Sequence, residues 1–258
     1  MKDLSIALVQ SDLAWEDPAA NLKRFKAHID GIADKVHLIV LPEMFSTGFS
    51  MRPERLAQSM DGPGVAWLQE RSHKTGADIA GSLIIEENGA YFNRLIWAKP
   101  DGTLAHYDKK HLFRYAGEEK VYTPGNRQLL VDCHGWKFRP FICYDLRFPV
   151  WTRNLDNCYD AALFVANWPE RRAPHWSALL RARAIENQCY VAGVNRVGVD
   201  GSGHRYRGDT ALIDPMGRVV AAKSNQEAVV SAVLSAKTLT RYRRSFPAWM
   251  DADGDLLK

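Results

Sequence analysis

Short apolar runs alternate with helix-spaced segments along this chain, and that alternation constrains its fold most. Residues 37–41 (HLIVL) and 161–166 (AALFVA) are continuously apolar, as strands buried on both faces are. Residues 21–33 and 175–188 instead have the apolar spacing of helices. Because strands and helices are interleaved without a repeat or a low-complexity linker, the pattern predicts a layered α/β protein with more than one sheet.

Further elements follow from the same patterns. A helix is predicted at 65–74, with Gly76 as its stop signal. Turn signals separate the remaining strands, which are predicted at 5–10, 79–85, 91–98, 129–132, 137–142, 190–195, 210–214, 218–222 and 229–234. Cys143 directly follows one of these strands and is expected to open a helix.

The composition excludes several classes of protein. Hydrophobic residues make up 46% of the chain and charged residues 25%, which excludes a disordered or collagen-like chain. No apolar run reaches the roughly 18 residues of a membrane-spanning helix, and the N-terminus lacks the features of a signal peptide. The net charge of +4 is too small to indicate a nucleic-acid partner. We therefore expect neither a membrane nor a nucleic acid among its partners.

The four cysteines, Cys133, Cys143, Cys158 and Cys189, indicate a reducing compartment. None forms a CxxC pair, and no histidine pair has the spacing of a zinc protease, so no metal site is expected. A chain of 258 residues can bury a core without disulfides. Since no export signal is seen, we expect four free thiols in a cytoplasmic protein.

Reactive side chains follow three of the predicted strands. Glu43 comes after HLIVL, Cys143 after KFRPFI, and the segment NWP, which contains Trp168, after AALFVA. A fourth segment, YDKKHLF, contains Lys109 and follows a predicted hairpin turn. Sites in layered α/β proteins gather where strands end, so we expect these side chains to lie close together.

Each of these residues also has an ordinary structural interpretation. Cys143 alone could be a buried thiol, Glu43 a helix cap or ion-pair partner, and Lys109 a surface lysine. Together they supply a nucleophile, a base and a cation for an oxyanion, which are the groups that acyl transfer requires. Because a cysteine at a helix N-terminus has a lowered pKa, we expect Cys143 to be a thiolate of low pKa.

Three segments, LPEMF, YDKKHLF and ICYDLRFP, occur in this order and resemble the signature segments of the nitrilase (carbon–nitrogen hydrolase) superfamily. The resemblance extends from about Ile6 to about Leu234, and the NWP and ARAIENQ segments fit it too. It implies a four-layer α-β-β-α sandwich, formed by a single domain over residues 1–258.

The resemblance also implies a Glu–Lys–Cys triad of Glu43, Lys109 and Cys143. In the mechanism it implies, Glu43 takes the Cys143 proton and the thiolate attacks an amide carbonyl. Lys109 and the backbone N–H of Tyr144 hold the oxyanion, ammonia leaves, and water hydrolyses the thioester. Such a reaction needs no cofactor, so none is expected.

Two positions need a choice between neighbours. The family lysine lies two residues before the histidine of HLF, which selects Lys109 over Lys110. A second glutamate of the family lies seven residues before the glycine of a Pro-Gly turn. That glycine is Gly125 here, so the spacing selects Glu118 over Glu119. In the family this glutamate hydrogen-bonds the lysine and helps to orient the reacting groups.

Longer segments point to one branch of the superfamily. CYDLRFPVWTRN, ANWPERR and GVNRVGVDGSGHRYRGDT resemble the bacterial omega-amidases, which hydrolyse 2-oxoglutaramate and 2-oxosuccinamate to dicarboxylate and ammonia. Such a substrate carries a carboxylate far from the amide, and Arg147 could bind it. A structural Arg–Glu pair is the alternative for Arg147. Trp168 and Phe113 are expected to form an apolar wall, although core packing is the ordinary role of such residues.

Three other functions remain open at this point. The protein could hydrolyse another carbon–nitrogen substrate, such as an aliphatic amide, an N-carbamoyl amine or a nitrile. It could be a cysteine–histidine hydrolase in which His111 or His175 activates Cys143. It could also be a non-enzymatic scaffold, although a scaffold needs no reactive triad.

The last residues of the chain suggest a packing role. The tail from about 238 to 258 contains Tyr242, Phe246 and Trp249, more aromatic residues than we expect in a terminus that makes no contacts. We expect it to pack on the sandwich or on a partner subunit. The family commonly forms dimers, so a homodimer that binds a small amide substrate is expected.

Overall fold

The computed structural model describes residues 1–254, which form thirteen strands and five α-helices. The strands β1–β13 are Leu4–Gln10, Leu38–Val40, Asp78–Glu87, Ala90–Ala98, Leu104–Asp108, Val131–Cys133, Trp136–Ile142, Ala161–Ala166, Tyr190–Asn195, Val197–Val199, Arg205–Ile213, Val219–Ser224 and Ala228–Leu234. The helices α1–α5 are Pro18–Asp30, Pro53–Leu56, Pro63–Thr75, Ala173–Asn187 and Ala236–Ser245. All of the strands and long helices expected from the sequence patterns are present; β8 and β9 have the predicted ends, and the others have shifted ends.

Two sheets face each other across the main core. The first has the strand order β13-β1-β2-β3-β4-β5, and the second has β10-β11-β9-β8-β7-β6 with β12 paired to β11. Strands β1, β2 and β3 run parallel, as do β7, β8 and β9, so within each group the carboxyl ends meet at one edge. Both sheets contribute side chains to one apolar cluster, which includes Leu8, Trp97, Phe138 and Phe164.

Helices cover the outer faces of the sheets. Successive residues of β1 point to opposite faces, so Leu8 enters the core between the sheets while Val9 packs with Phe25 of α1. Helix α4 lies on the second sheet, where a Cβ on Gly193 would come within 2.9 Å of the Trp176 ring. The glycine therefore permits the close approach of α4 to β9. These layers form the α-β-β-α sandwich that the resemblance implied, and the predicted fold class is confirmed.

Some elements differ from the sequence predictions. Strands β5 and β10 and helices α2 and α5 were not expected; α5 is mostly polar and buries only Ala236 and Leu239. The helix expected to open at Cys143 is a 3₁₀ helix of five residues, Cys143–Arg147. Among residues 1–254, no helix combines the length and apolar character needed to cross a membrane.

The C-terminal segment contacts the sandwich of its own chain. Arg243 in α5 donates to the Asp160 carboxylate at 2.8 Å and to the backbone oxygen of Gln188 at 2.9 Å. The Gln188 side chain in turn donates to the Phe246 carbonyl at 2.7 Å and accepts the Trp249 N–H at 3.1 Å. Of the tail expected at 238–258, residues 255–258 lie outside the described residues.

Candidate active site

Glu43, Lys109 and Glu118 form a buried charged cluster beside the ends of β2 and β5. The Lys109 ammonium donates to Glu43 Oε1 at 2.9 Å and to Glu118 Oε1 and Oε2 at 3.0 and 2.9 Å. None of the three side chains is exposed to solvent. Such contacts compensate the cost of burying an ammonium and two carboxylates, since each charge has an opposite charge within hydrogen-bond distance.

The neighbouring residues that the sequence left as alternatives lie elsewhere. Lys110 is half-buried, and its ammonium sits 5.4 Å from the centre of the Trp151 ring. Glu119 approaches Arg114 at 4.0 Å on the protein surface. The structure thus brings Lys109 and Glu118, rather than the residues after them, into the charged cluster.

Cys143 lies at the end of β7, on the wall of a cavity of about 280 Å³ that Glu43 and Lys109 also line. Its φ of +44° is in the left-handed region, which is strained for a residue with a side chain. The thiol lies 4.0 Å from the carbonyl oxygen of Asn167, the residue that follows β8. The sharp turn of the backbone therefore presents the sulfur to the cavity at the point where β7 ends.

Asp145 holds this strained turn in place. Its buried carboxylate accepts the Ile142 N–H at 3.0 Å and the Tyr107 hydroxyl at 2.7 Å on one oxygen. The other oxygen accepts the His111 backbone N–H at 2.9 Å. Hydrogen bonds from three separate positions thus fix the backbone on both sides of Cys143.

The environment of Cys143 raises the pKa of its thiol, so the low pKa expected from the sequence is wrong. Burial makes the largest contribution, and the negative charge of Glu43 adds to it, while Lys109 opposes both. The expected helix dipole is weak, because the 3₁₀ helix that starts at Cys143 has only five residues. The resting form at neutral pH is therefore a thiol, and a base must remove its proton during the reaction.

Alkylation should report this raised pKa directly. We expect iodoacetamide to modify Cys143 before Cys133 and Cys189, because Cys143 lines the cavity whereas the other two are buried. Burial also raises the pKa of the Cys133 thiol, and it raises the pKa of the Cys189 thiol to about 12. The thiolate fraction grows only as the pH approaches a raised pKa, so the rate at Cys143 should still be rising at about pH 9. Peptide mapping by mass spectrometry measures each rate, and a plateau below pH 7 would contradict the assignment.

Two carboxylates share one ammonium in the charged cluster. Burial alone disfavours the charged form of Lys109, but the charges of Glu118 and Glu43 outweigh it and raise the pKa of the ammonium. Burial also raises the pKa of Glu118, and the nearby charge of Glu43 acts in the same direction. The cluster therefore keeps the positive charge of Lys109 beside Cys143. The carboxyl group with the raised pKa is that of Glu118.

Aromatic and apolar side chains form much of the cavity wall. Phe113 and Trp168, which the sequence analysis selected, both line the cavity, as does Tyr144 directly after Cys143. The Phe113 ring packs edge-on against Tyr144, with 5.0 Å between the ring centres. Phe49 also lines the cavity and lies 5.0 Å below the Lys109 ammonium. These rings limit the access of water to the charged cluster.

Three arginines, Arg147, Arg171 and Arg172, also line the cavity. The Arg147 guanidinium lies 4.8 Å from the centre of the Trp168 ring, and that of Arg172 lies 5.1 Å from the Phe113 ring. Burial lowers the pKa of Arg172, and the charge of Arg171 acts in the same direction. Within residues 1–254 none of these arginines forms an ion pair with a carboxylate, so their positive charge faces the cavity without an internal counter-ion.

Two histidines considered as a base for Cys143 are engaged elsewhere. His111 Nδ1 lies 2.8 Å from the Asp145 carboxylate, and its ring stacks on Phe148 at 3.8 Å. His175 Nδ1 is 3.0 Å from Arg147, which therefore pairs with an imidazole rather than with the glutamate suggested as an alternative. Neither histidine lines the cavity that contains the thiol.

Sequence reasoning missed several residues of this site. Asn93 and Asn167 are both buried and hydrogen-bond the Glu43 carboxylate, the first through its side chain and the second through its backbone N–H. Arg172 and Tyr206 line the cavity. A buried asparagine inside an apolar strand is a signal that could have identified Asn93, and Arg172 stands in the ANWPERR segment that had already suggested a branch of the superfamily.

Comparison with known proteins places this geometry in a family. The family model described as carbon-nitrogen hydrolase matches residues 5–244. The chain is 48% identical to omega-amidase YafV of Escherichia coli K12, with 98% of each chain covered, and 33% identical to the 2-oxoglutaramate amidase of Bacillus subtilis, again over 98% of each. The crystal structure of XC1258 from Xanthomonas campestris, a protein of the same superfamily, matches with a TM-score of 0.96 at 46% identity over 98% of each chain. The chain belongs to the carbon-nitrogen hydrolase family.

Proposed function

We propose that this protein is an omega-amidase, which hydrolyses the terminal amide of small 2-oxo acids such as 2-oxoglutaramate and 2-oxosuccinamate. The observation that carries the proposal is the placement of Cys143 on one cavity wall with Glu43, Lys109 and Glu118 beside it. Full-length relatives named omega-amidase and 2-oxoglutaramate amidase support the substrate class.

The first half of the proposed reaction acylates the cysteine. As the substrate amide enters, Glu43 accepts the Cys143 proton and the sulfur forms a bond to the amide carbon. The oxygen of the tetrahedral intermediate accepts hydrogen bonds from the Lys109 ammonium and from the Tyr144 backbone N–H. Glu43 then returns its proton to the amide nitrogen, the C–N bond breaks, and ammonia leaves a thioester on Cys143.

Water completes the cycle in the second half. Glu43 takes a proton from a water molecule, which attacks the thioester carbon, and the same oxyanion donors act again. The C–S bond breaks and the proton returns to the sulfur, which regenerates the thiol. We assign Glu118 the role of holding the Lys109 ammonium, since both of its oxygens lie within 3.0 Å of that group.

The three arginines give the cavity a chemical preference. A 2-oxo acid amide carries a carboxylate at the end opposite the amide, and a guanidinium binds such a group through two hydrogen bonds. We propose that Arg147 and Arg172 bind this carboxylate, with Phe113 and Trp168 as the apolar wall between it and Cys143. Both guanidinium groups already stack on these rings, so they are held in place before the substrate binds.

Removing either arginine should change substrate choice. We expect Arg147→Met and Arg172→Met each to lower kcat/KM for 2-oxoglutaramate by about 10- to 100-fold, the effect of losing one charge-assisted hydrogen bond. The loss for an uncharged aliphatic amide should be small, because that substrate has no carboxylate. Ammonia release from both amides measures the ratio.

A matched control is Arg205→Met. Arg205 is exposed and pairs with Glu170 at 3.4 Å, outside the residues that line the cavity. We expect it to leave both rates close to those of the parent. Equal losses for the two substrates in the Arg147 and Arg172 variants would assign these arginines to structure, and hydrolysis of a nitrile or N-carbamoyl amine in preference to 2-oxoglutaramate would overturn the proposed substrate class.

We also propose a cytoplasmic homodimer built from single-domain subunits. The free cysteines Cys133, Cys143, Cys158 and Cys189 fit a reducing compartment. In the C-terminal segment Phe246 and Met250 are 56% and 68% exposed, which leaves apolar surface for a partner subunit beside the contacts within the chain. Sedimentation analysis of the purified protein tests the dimer, and a monomer at all concentrations would reject it.

A further inference from the structure

Asn93 is a buried amide in β4 that the proposed mechanism does not use. Its Nδ2 donates to Glu43 Oε1 at 2.8 Å and more weakly to Glu118 Oε1 at 3.3 Å. The side chain is fully buried, in a strand whose other buried residues are Arg94 and the apolar residues from Leu95 to Ala98. A neutral donor therefore touches both carboxylates of the charged cluster without adding to its charge.

Ser82 fixes the orientation of this amide. The Ser82 hydroxyl donates to Asn93 Oδ1 at 2.9 Å and accepts the backbone N–H of Met44, the residue after Glu43, at 2.8 Å. A flipped amide would direct its Nδ2 at the Ser82 hydroxyl and its Oδ1 at Oε1 of Glu43, and an ionised carboxylate only accepts hydrogen bonds. The chain of bonds from Met44 through Ser82 to Asn93 therefore allows one arrangement.

The two oxygens of Glu43 are not equivalent in this arrangement. Oε1 accepts hydrogen bonds from the Lys109 ammonium at 2.9 Å and from the Asn93 amide at 2.8 Å, and these two bonds occupy its two lone-pair positions. Oε2 receives the Asn167 N–H at 2.8 Å, with the Asn167 side-chain amide at the 3.5 Å limit. The oxygen with room for another proton is therefore Oε2.

We propose that Asn93, held by Ser82, is a positioning residue that occupies Glu43 Oε1 and leaves Oε2 to exchange protons with Cys143 and the leaving nitrogen. The inference rests on the proposed function, in which Glu43 is the base. In the step concerned, the proton of the Cys143 thiol moves to Oε2 while the S–C bond forms, and it then moves to the departing nitrogen as the C–N bond breaks. Asn93 itself exchanges no proton.

The test is the pH profile of Asn93→Leu, a substitution that keeps the branched shape of the side chain and removes the donor. Donors to a carboxylate favour its ionised form, so losing one should make the base harder to ionise. We expect the acid limb of kcat/KM to move to higher pH by about one unit, so that kcat/KM on that limb falls by about tenfold while KM changes little.

Two further variants keep the test decisive. Asn154→Leu removes another buried amide, which donates to the backbone carbonyls of Tyr159 and Asn187 outside the cavity. This variant should have a lower Tm without a shift of the acid limb. Ser82→Ala keeps the Asn93 donor but releases its orientation, so it should move the limb in the same direction by less, and it serves if Asn93→Leu does not fold.

An acid limb that stays in place in both Asn93→Leu and Ser82→Ala would overturn the inference and leave Asn93 with a structural role only. Glu43→Gln separates this failure from that of the proposed function. If Glu43→Gln retains turnover, Glu43 is not the base and the mechanism itself is wrong; if it is inactive while the limb is fixed, only the role of Asn93 is lost.

Discussion

Lys109→Met is expected to abolish nearly all turnover and to destabilise the protein. The ammonium is the cation of the charged cluster, and losing one such oxyanion donor costs about 10²–10³ in kcat. Its removal also leaves Glu43 and Glu118 buried without a counter-charge, and breaking a buried pair of this kind costs about 3–5 kcal/mol of stability. Steady-state ammonia release and a thermal melt followed by circular dichroism measure the two effects.

Two variants separate catalysis from folding in this experiment. Lys110→Met removes the neighbouring charge, which lies over Trp151, and should keep a rate within about tenfold of the parent. The double variant Lys109→Met with Glu118→Gln restores the net charge of the cluster, so it should recover much of the stability but not the turnover. An inactive Lys110→Met beside an active Lys109→Met would require the triad to be redrawn around Lys110.

Cys143→Ser should lose about 10⁴-fold or more in kcat, the scale found when a nucleophile is removed from an acyl-transfer site. Burial and the Glu43 charge already raise the pKa of the thiol. A hydroxyl in the same place is a far weaker acid, so Glu43 cannot deprotonate it at a useful rate. The fold should survive, because the substitution is nearly isosteric and the turn is held by Asp145 through other atoms.

Cys158→Ser is the matched control for this variant. Cys158 is also half-buried, and its thiol donates to Asn154 Oδ1 at 3.4 Å, a bond that a hydroxyl can replace. Turnover close to that of the parent is expected for Cys158→Ser. If the two serine variants lose activity equally, the loss reflects folding, and the assignment of the nucleophile fails.

The sequence predicted the layers of the fold because most of the strands and long helices have a local signal of their own. The apolar runs HLIVL and AALFVA became β2 and β8, and Gly76, with a φ of +68°, ends α3 where the stop signal stood. Helix α5 was not predicted because most of its residues are polar, and polar contacts such as those of the Arg243 guanidinium help to hold it in place.

The members of the charged cluster followed from motif resemblance, whereas their electrostatics did not. Motif order selected Glu43, Lys109 and Cys143, and the distance from Gly125 selected Glu118. The structure brings these residues together although they come from separate parts of the chain. The direction of the Cys143 pKa shift depends on burial and on a five-residue 3₁₀ helix, which only three-dimensional packing determines.

The supporting residues were missed because their role depends on long-range contacts. Asn93 meets Glu43 across 50 positions of sequence, and Asn167 meets it across 124. Asn93 belongs to no pattern that indicates chemistry, and Asn167 was noted only as part of the NWP segment, without a role of its own. The position of Arg172 in the site likewise depends on packing, because the segment after β8 and strand β11 line the same cavity.

Trapping the acyl-enzyme tests the central claim most directly. The wild-type protein is mixed with a slowly hydrolysed amide of a 2-oxo acid, quenched in acid and digested, and its peptides are analysed by mass spectrometry. We predict an added mass equal to the acyl group, without its ammonia, on the peptide that contains Cys143, and no such addition in Cys143→Ser. An acyl group on another residue, or turnover of the amide with no covalent intermediate under these conditions, would contradict the account.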